Sequence, residues 1–547
     1  MNRNIRTIII AVASFFLLAD VFPGIAAAES GLRFEVSFSA AAHGEKITGR
    51  IYVILAPNDR REPRFQVHLR GAPFFGKDIS GLEPGEPAVF GPDEFGYPYE
   101  SFTELPPGDY YVQAFVNKYT RFERADGHVL WMHQDQWEGQ RWNRSPGNLY
   151  SDVRKLRIDP GRSRVIGLEC TEVIPEVTVP ADTEWVKRIK IQSRILTEFW
   201  GQPMYLGAVI LLPKGYPDHP DQYYPVNYVQ GHFSLNPPYG FREEKASSDN
   251  PRAQRGHDFY EYWISDDCPR MLAVTLQHPC PYYDDSYAVN SPNVGPYGDA
   301  IMQELIPYIE DQFRIIKEPY ARVLSGGSTG GWISLALQIF YPEFFGGVFS
   351  LCPDPVDFRY FQCVDIYQDE NAYFKRFGGI LVPTPSDRRT DGIVTLTYRQ
   401  RNHFELALGT KNRSGQQIDI FEAAFGPKGE DGYVRPLFDK KTGEIDPEVA
   451  RYWKEHYDLR YYLETHWPEI GEHLKGKLNI YTGDMDTYYL NNAVVLLERF
   501  LEKTKDPYYD GIIAYGDGEP HCWGPYGEEL IELLKAHIEK MKVLSKH

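Results

Sequence analysis

The sequence predicts an α/β fold for residues 181–547, preceded by a small β-sandwich domain in residues 29–180. In the later part, short apolar runs typical of buried strands alternate with stretches of helical periodicity, which indicates a parallel sheet covered on both faces. In the earlier part, apolar or alternating runs are separated by proline and glycine, and no stretch has a clear helical period.

The first 28 residues are typical of a secretory signal peptide. Arg3 and Arg6 precede an apolar run from Thr7 to Leu18, and Ala26 to Ala28 provide a small-residue cleavage site. The apolar run is short for a membrane span. We therefore expect cleavage and a secreted or periplasmic protein with no membrane span afterwards; an uncleaved anchor is the alternative.

The net charge and the cysteine pattern argue against a nucleic-acid-binding protein and against a cysteine-rich zinc site. The formal net charge of −18 argues against a nucleic-acid partner, because phosphates are bound by clustered lysine and arginine. The six cysteines contain no CxxC pair, so we expect no cysteine-rich zinc site. Cys268 with Cys280 and Cys352 with Cys363 are candidate disulfides, and buried free thiols are the alternative.

The N-terminal domain is predicted from three strand-like runs and a linker. The runs are "GRIYVIL" (49–55), "RFQVHLR" (64–70) and "GDYYVQAFV" (108–116). The segment "VIPEVTVPADTEW" (173–185) is rich in proline and β-branched residues, which predicts an extended connection to the second domain.

The second domain is predicted to begin with an antiparallel hairpin, formed by "KRIKIQSRIL" and "YLGAVILLP". Further strands and helices then alternate along the chain. The predicted strands are "YPVNYVQG" (224–231), "RMLAVTLQH" (270–278), "ARVLSGG" (321–327), "FGGVFSLCP" (345–353), "GKLNIYTG" (476–483) and "DGIIAYG" (510–516). The predicted helices are residues 296–313, 330–342, 493–503 and 527–541.

Residues from about 355 to 470 interrupt this alternation. They are too long for an ordinary connection between two strands of one sheet, and they hold many aromatic and charged residues. A hairpin turn is possible at "DKKTGEID" (439–446). We predict an inserted cap over the strand ends; a surface excursion without a role in ligand binding is the alternative.

The stretch "LSGGSTGGW" (324–332) is the strongest chemical signal. A phosphate-binding P-loop requires a lysine where Trp332 stands, and no register gives the dinucleotide-binding glycine pattern. The pattern G-x-S-x-G matches residues 326–330. A strand before it and a helix after it favour a sharp turn that exposes a nucleophile, here Ser328.

A serine hydroxyl needs a general base, and folds of this kind supply the acid and the histidine later in the chain. His521 lies in "YGDGEPHCW", directly after the last predicted strand. Asp486 lies in "YTGDMDTYYL", after the preceding strand, and we predict that it is the acid. The remaining candidates for the acid are Asp484, Asp354 and Asp357.

An oxyanion hole requires two backbone N–H groups that point to the developing charge. Thr329, the residue after the nucleophile, is predicted to supply one. The loop "GHFSLNPP" follows the strand 224–231 and is predicted to supply the other from Phe233, with His232 and Ser234 as neighbouring candidates.

Taken together, "YPVNYVQGHF", "LSGGSTGGW", "YTGDMDT" and "PHCW" resemble the putative-esterase branch of the α/β-hydrolase superfamily, which includes enterochelin and feruloyl esterases. The resemblance covers residues 187–547. It implies an α/β-hydrolase fold, into which the cap predicted from residues 355–470 would be inserted. Two departures are that Gly231-His232 stands where His-Gly is usual, and that the insertion is larger than in compact members.

The resemblance implies a serine carboxylester hydrolase with the Ser328, His521 and Asp486 triad and no metal or organic cofactor. We expect a secreted enzyme for polysaccharide-linked or aryl esters. A siderophore esterase is the alternative, and a non-catalytic binding protein on the same scaffold is a second. The aromatic residues predicted to contact substrate are Trp332, Tyr297, Trp523, Tyr488 and Trp467.

Overall fold

The computed structural model describes residues 31–245 and 250–546, so the predicted signal peptide lies outside the described residues. The N-terminal part consists of strands joined by short 3₁₀ turns. Its strands are β1 (Leu32–Phe38), β2 (Ile47–Ala56), β3 (Phe74–Leu82), β4 (Ala88–Phe90), β5 (Gly96–Tyr97), β6 (Gly108–Lys118), β7 (Thr120–Glu123), β8 (Val129–Met132), β9 (Leu149–Ser151), β10 (Arg154–Ile158) and β11 (Arg164–Val173).

Nine of these strands form one hydrogen-bonded sheet, and β7 and β8 form a separate hairpin. The order in the sheet is β4-β1-β11-β9-β6-β2-β3-β5, with β10 beside β6. Alternation along β2 places Ile51 and Val53 in one hydrophobic cluster with β1 and β11, and Tyr52 and Ile54 in a second cluster. Both faces of the central strands are therefore buried, and the division into two sandwich layers stays a prediction.

The C-terminal part is built on an eight-stranded sheet in which β13 runs against the other strands. The order β12-β13-β15-β14-β18-β19-β24-β25 agrees with an α/β-hydrolase-like fold. Its strands are β12 (Val186–Ser193), β13 (Met204–Leu211), β14 (Val226–Gln230), β15 (Leu272–Gln277), β18 (Arg322–Gly327), β19 (Gly347–Leu351), β24 (Leu478–Gly483) and β25 (Ile512–Gly516). Shorter strands are β16 (Asn290–Ser291), β17 (Gly295–Pro296), β20 (Phe374–Phe377), β21 (Ile380–Pro383), β22 (Pro385–Arg388) and β23 (Val394–Thr397).

Helices cover this sheet and fill the inserted segment. They are α1 (Arg194–Trp200), α2 (Pro251–Trp263), α3 (Tyr297–Ala300), α4 (Ile306–Gln312), α5 (Thr329–Phe340), α6 (Tyr398–Leu408), α7 (Gln417–Phe425), α8 (Pro447–Tyr457), α9 (Leu459–Leu474), α10 (Asn491–Leu501) and α11 (Glu528–Leu544). A π-helical turn at Ile301–Leu305 joins α3 to α4.

Two predicted strand segments differ in the structure. Residues 64–70 form no strand, because a 3₁₀ turn at Pro63–Phe65 is followed by further turns. The end of the first hairpin strand is a helix instead. The Ser193 hydroxyl accepts a hydrogen bond from the Leu196 N–H at 3.1 Å, which caps α1 where the sequence suggested that the first hairpin strand continued.

The segment between β19 and β24 packs against the N-terminal sheet. It contains β20 to β23 and α6 to α9. The Arg50 guanidinium donates to the Ala407 carbonyl at 2.9 Å, and the Tyr52 hydroxyl donates to the Leu408 carbonyl at 2.5 Å. Helix α6 therefore contacts the N-terminal sheet directly, and its insertion as a cap stays a prediction.

Neither candidate disulfide, Cys268 with Cys280 or Cys352 with Cys363, is present in the structure, where no cysteine of the described residues is bonded to another. Cys268, Cys280 and Cys352 are buried, in agreement with the alternative of buried thiols. Between residues 31 and 546, leaving out 246–249, no helix has the length and apolarity that a bilayer crossing requires.

Candidate active site

Ser328 lies on a strained turn between β18 and α5. Its backbone angles are φ 58° and ψ −123°, a conformation that L-residues rarely adopt. The Ser328 N–H donates to the Leu351 carbonyl at 2.9 Å, and the Ser328 carbonyl accepts from the Trp332 and Asp354 N–H groups. The neighbouring strand end therefore holds the turn in place, with the hydroxyl at the edge of the sheet.

Glycines around Ser328 are required by close backbone contacts. A Cβ atom on Gly330 would lie 2.1 Å from the Gln230 carbonyl oxygen, and one on Gly326 would lie 2.4 Å from the Gly330 oxygen. The end of β14 thus packs directly on the turn. This contact explains the glycines of the motif and places the loop that begins at Gly231 beside Ser328.

Replacing Gly330 with alanine is expected to lower stability by about 1–3 kcal/mol, because backbone must move to admit the methyl group. The same shift should misplace Ser328 and lower kcat/KM by roughly 10–100-fold. Thermal unfolding and ester hydrolysis measure the two effects. Gly379→Ala is the matched control, since no atom lies within 4 Å of its added Cβ; equal behaviour of the two variants would contradict the steric account.

His521 connects Ser328 to Asp486. The His521 Nε2 atom lies 2.9 Å from the Ser328 Oγ atom, and Nδ1 lies 2.6 Å from the Asp486 Oδ2 atom. The fully buried Asp486 carboxylate also accepts from the Tyr488 N–H at 2.8 Å and the Leu490 N–H at 3.2 Å. Backbone donors of its own loop therefore fix the orientation of this carboxylate.

The other candidate acids have different contacts. Asp484 accepts from the Gly518 N–H at 2.8 Å and so supports the loop that carries His521. Asp357 is buried and forms ion pairs with Arg359 and Arg460. Asp354 accepts from the Tyr287 and Thr329 hydroxyls at 2.6 and 3.0 Å. Among the four acids, Asp486 is the one that contacts His521.

Electrostatic effects on His521 oppose each other. Burial favours the neutral imidazole, but hydrogen bonds with the Asp486 carboxylate and the Cys522 thiol outweigh it and raise the pKa of His521 to about 10. A second histidine beside Ser328, His232, has its Nδ1 atom 3.0 Å from Asp284 and 3.4 Å from Asp285. Although burial favours its neutral form, these carboxylates hold the pKa of His232 well above its usual value.

The predicted oxyanion donors flank the turn. The Thr329 N–H is at the first position of α5, where a helix leaves its N–H groups without partners. The Phe233 side chain packs edge-on against Trp137, with ring centroids 5.2 Å apart, and therefore holds the loop after β14. Within the described residues, neither N–H has a hydrogen-bond acceptor. Their role in an oxyanion hole stays a prediction.

A cavity of about 160 Å³ opens at Ser328 and His521. The inserted segment contributes four of its lining residues, which the sequence did not single out. The remaining lining comes from the loops around the sheet edge. The lining residues are His232, Ser328, Asp354, Gln362, Arg401, Gln417, Phe421, Tyr488, Leu490 and His521.

Of the aromatic residues predicted to contact substrate, Tyr488 lines this cavity, and its ring lies 4.8 Å from the His521 ring. Trp332 and Tyr297 do not, because both are fully buried in the main hydrophobic cluster, where the Trp332 ring packs against Phe425 of α7. Trp467 is also buried, and its Nε1 atom donates to the Pro507 carbonyl. Trp523 packs against Tyr481 and Gly516, away from the cavity.

Comparison with known proteins relates this site to esterases. Residues 204–385 match the family model described as "Putative esterase". No curated protein matches the chain. Similar solved structures include a ferulic acid esterase, with 15% identity, TM-score 0.34, and coverage of 65% of this chain and 97% of that one.

Two other similar structures are hydrolases by name. An S-formylglutathione hydrolase from Agrobacterium tumefaciens has 14% identity, TM-score 0.36, and coverage of 66% and 98%. Fluorophosphonate-binding serine hydrolase F from Staphylococcus aureus has 13% identity, TM-score 0.32, and coverage of 65% and 97%. The family match confirms the resemblance inferred from the motifs and supports an esterase; it includes Ser328 but ends before Asp486 and His521.

Proposed function

We propose that this chain, whose residues 204–385 match the putative-esterase family of the α/β-hydrolase superfamily, is a secreted or periplasmic serine esterase. It hydrolyses a carboxylic ester through an acyl-enzyme. The observation that supports this proposal most strongly is that His521 connects Ser328 and Asp486, at 2.9 and 2.6 Å.

In the proposed mechanism, His521 removes the Ser328 proton as the Ser328 oxygen attacks the ester carbonyl. Asp486 keeps the His521 proton on Nδ1 and stabilises the imidazolium that forms. The imidazolium then protonates the leaving alcohol. Water, activated by the same imidazole, attacks the acyl-enzyme and releases the acid. Thr329 and the loop at Phe233 supply N–H groups for the oxyanion.

The cavity favours a small substrate group with several hydroxyls. Its volume of about 160 Å³ is below the roughly 300–1,000 Å³ usual for drug-sized ligands, so only a short acyl chain or part of a sugar enters. Eight of its ten lining residues are polar. These polar groups support a polysaccharide-linked ester. The rings of Phe421 and Tyr488 also line the cavity, so an aryl ester is the second candidate.

Gln362 carries the strongest sign of a missing hydrogen-bond partner. It is only 5% exposed, its Oε1 atom has no partner in the described chain, and its backbone has φ 56°. A buried acceptor without a partner costs about 1–3 kcal/mol. A substrate hydroxyl that donates to this atom would recover that energy upon binding.

Two further lining residues offer complementary groups. The Arg401 guanidinium donates from Nε to Ser386 and from Nη2 to Asp387, which leaves Nη1 for a substrate oxygen. The Oδ2 atom of Asp354 accepts three hydrogen bonds, which leaves the Oδ1 atom as a further acceptor. Burial raises the pKa of the Asp354 carboxyl group. Donors and acceptors side by side suit hydroxyl groups, which do both.

A matched pair of acetates tests the activity and its selectivity together. We expect the chain to hydrolyse an acetylated monosaccharide roughly 10–100-fold faster, in kcat/KM, than cyclohexyl acetate, and methyl ferulate more slowly than the sugar acetate. Gln362→Leu should reduce the preference for the sugar acetate by about tenfold, because it removes the unpaired amide while keeping similar volume.

The exposed Gln368, in the same segment, provides the control variant Gln368→Leu, which should keep the preference. If no ester in the panel is hydrolysed, the esterase proposal is wrong. If cyclohexyl acetate or methyl ferulate is preferred, the activity stands and the assignment of a hydroxylated substrate is wrong.

A further inference from the structure

Two cysteines from distant parts of the chain meet beside His521. Cys352 directly follows β19, and Cys522 directly follows His521. The Cys352 Sγ, the Cys522 Sγ and a ring nitrogen of His521 lie within 4.8 Å of one another. A Cβ atom on Gly327 would lie 3.8 Å from the Cys522 sulfur, so this thiol also borders the turn that carries Ser328.

The backbone at both cysteines is unusual. Cys352 has φ 38° and Cys522 has φ 65°, a region that non-glycine residues enter only when surrounding contacts require it. Cys352 is fully buried, and its N–H donates to the Tyr481 carbonyl at 2.6 Å, whereas Cys522 is exposed. The pair therefore joins a fixed position at the sheet edge to an accessible thiol on the His521 loop.

We propose that Cys352 and Cys522 form a disulfide bond that fixes the loop of His521 to the end of β19. The bond would be expected in the oxidising compartment that we propose for this chain. It links residues far apart in sequence, so it constrains the chain more than either pair suggested by sequence proximity. Cys352 and Cys522 are positioning residues for His521; neither contacts the substrate in the proposed mechanism.

The bond forms by exchange with a disulfide oxidant, such as a low-molecular-weight disulfide. The Cys522 thiolate attacks one sulfur of the oxidant and releases one thiol, which takes up a proton. The Cys352 thiolate then attacks the Cys522 sulfur of the mixed disulfide and releases the second thiol. The chain loses two protons and two electrons, and the oxidant disulfide becomes two thiols. The hydrogen bond from Cys352 and the nearby His521 lower the pKa of Cys522, which favours the first step.

Oxidation also changes the charge next to His521. The ionisable or charged groups that face its imidazole are Asp486, Cys522, Cys352, Asp354 and Tyr488. Burial opposes protonation of His521, while Asp486 and Cys522 raise its pKa. A disulfide removes the Cys522 thiolate, so the pKa of His521 falls. Catalysis needs neutral imidazole, and the acidic limb of the pH profile should therefore lie at lower pH in the oxidised enzyme.

Peptide mapping of the full chain, isolated from an oxidising compartment without reductant, tests the bond directly. Free thiols are alkylated before digestion, and the expected product is a linked pair of peptides that contain Cys352 and Cys522. This readout needs no ester and is independent of the proposed function. Unlinked, fully alkylated Cys352 and Cys522 in the folded chain would overturn the proposal.

The pH dependence of kcat/KM tests the effect on His521. Dithiothreitol should move the acidic limb of the wild-type profile up by about one pH unit, which is roughly a tenfold loss of kcat/KM on that limb. The position of the acidic limb in Cys352→Ala without reductant should match that of reduced wild type, because the Cys522 thiolate stays. In Cys522→Ala it should match that of oxidised wild type, because no thiolate is present. Both variants should be insensitive to dithiothreitol.

Cys170→Ala is the control, since Cys170 is buried in the N-terminal sheet, in a hydrophobic cluster separate from that of Cys352, and this variant should respond to dithiothreitol as wild type does. A wild-type profile that reduction does not shift would refute the effect on His521. If Cys352→Ala fails to fold, peptide mapping and reduction of the wild-type chain still decide the proposal.

Discussion

Ser328→Ala is expected to lower kcat for 4-nitrophenyl acetate by about 10⁶-fold, the loss typical when a catalytic serine is removed. The Ser328 hydroxyl contacts His521 and has no other side-chain partner in the described structure, so its removal should cost little stability. The strained backbone at this position, φ 58°, is the same for alanine as for serine. Steady-state kinetics and a melting curve measure the two expectations.

Ser334→Ala, in the helix that follows Ser328, is the matched control. The Ser334 hydroxyl is buried and has no hydrogen-bond partner in the described structure, so its removal should keep activity and keep or raise the melting temperature. Ser328→Ala with more than roughly a hundredth of wild-type kcat would contradict the role of Ser328 as nucleophile, because the oxyanion donors alone leave far less.

Asp486→Asn is expected to lower kcat by about 10⁴-fold. The asparagine amide can present an N–H to the His521 Nδ1 atom, which would leave the proton on Nε2, the nitrogen that must accept from Ser328. Because Tyr488 and Leu490 N–H groups hold the Asp486 carboxylate, an isosteric amide should keep the loop in place. The loss should therefore appear in kcat more than in unfolding temperature.

Asp484→Asn separates this effect from a general disturbance of the loop. Among the described residues, the Asp484 carboxylate accepts a single N–H, from Gly518, and an asparagine carbonyl can accept the same bond. Its loss of kcat should stay below about tenfold. A larger loss for Asp484→Asn than for Asp486→Asn would transfer the role of the acid to Asp484.

Sequence reasoning identified the turn at Ser328, and the loops of Asp486 and His521, because local patterns encode them. Glycine is required at 326 and 330 by close backbone contacts. Asp486 and His521 each lie in the loop after a strand that the sequence pattern predicts. Parallel strands bring such loops to the same edge of a sheet whatever their distance in sequence. The convergence of Ser328, His521 and Asp486 was therefore predictable without knowledge of the insertion.

The aromatic residues were misplaced because composition does not report which face of an element is buried. Trp332 belongs to helix α5, whose side chains are buried on nearly every side. Although Trp332 is close to Ser328 in sequence, its ring therefore does not reach the cavity. Sequence analysis missed Gln362 and Arg401 for a different reason, namely the weak periodicity of the segment that contains them. They come from an insertion without strong periodicity, whose path depends on tertiary contacts with the N-terminal sheet, such as Arg50 with Ala407.

Sequence left the cysteine pairing open, since spacing offered Cys352 with Cys363 and buried free thiols equally. The partner of Cys352 in space is Cys522, which is brought to it by the order β19-β24-β25 at the edge of the sheet. Only the assembled sheet reveals this proximity.

Labelling with a fluorophosphonate probe, followed by mass spectrometric location of the adduct, tests the central claim that Ser328 is an activated nucleophile. The account predicts one adduct on the peptide that contains Ser328 in folded wild-type protein, and none in Ser328→Ala or after denaturation. Folded wild-type protein that stays unlabelled, or an adduct on a different residue, would contradict it.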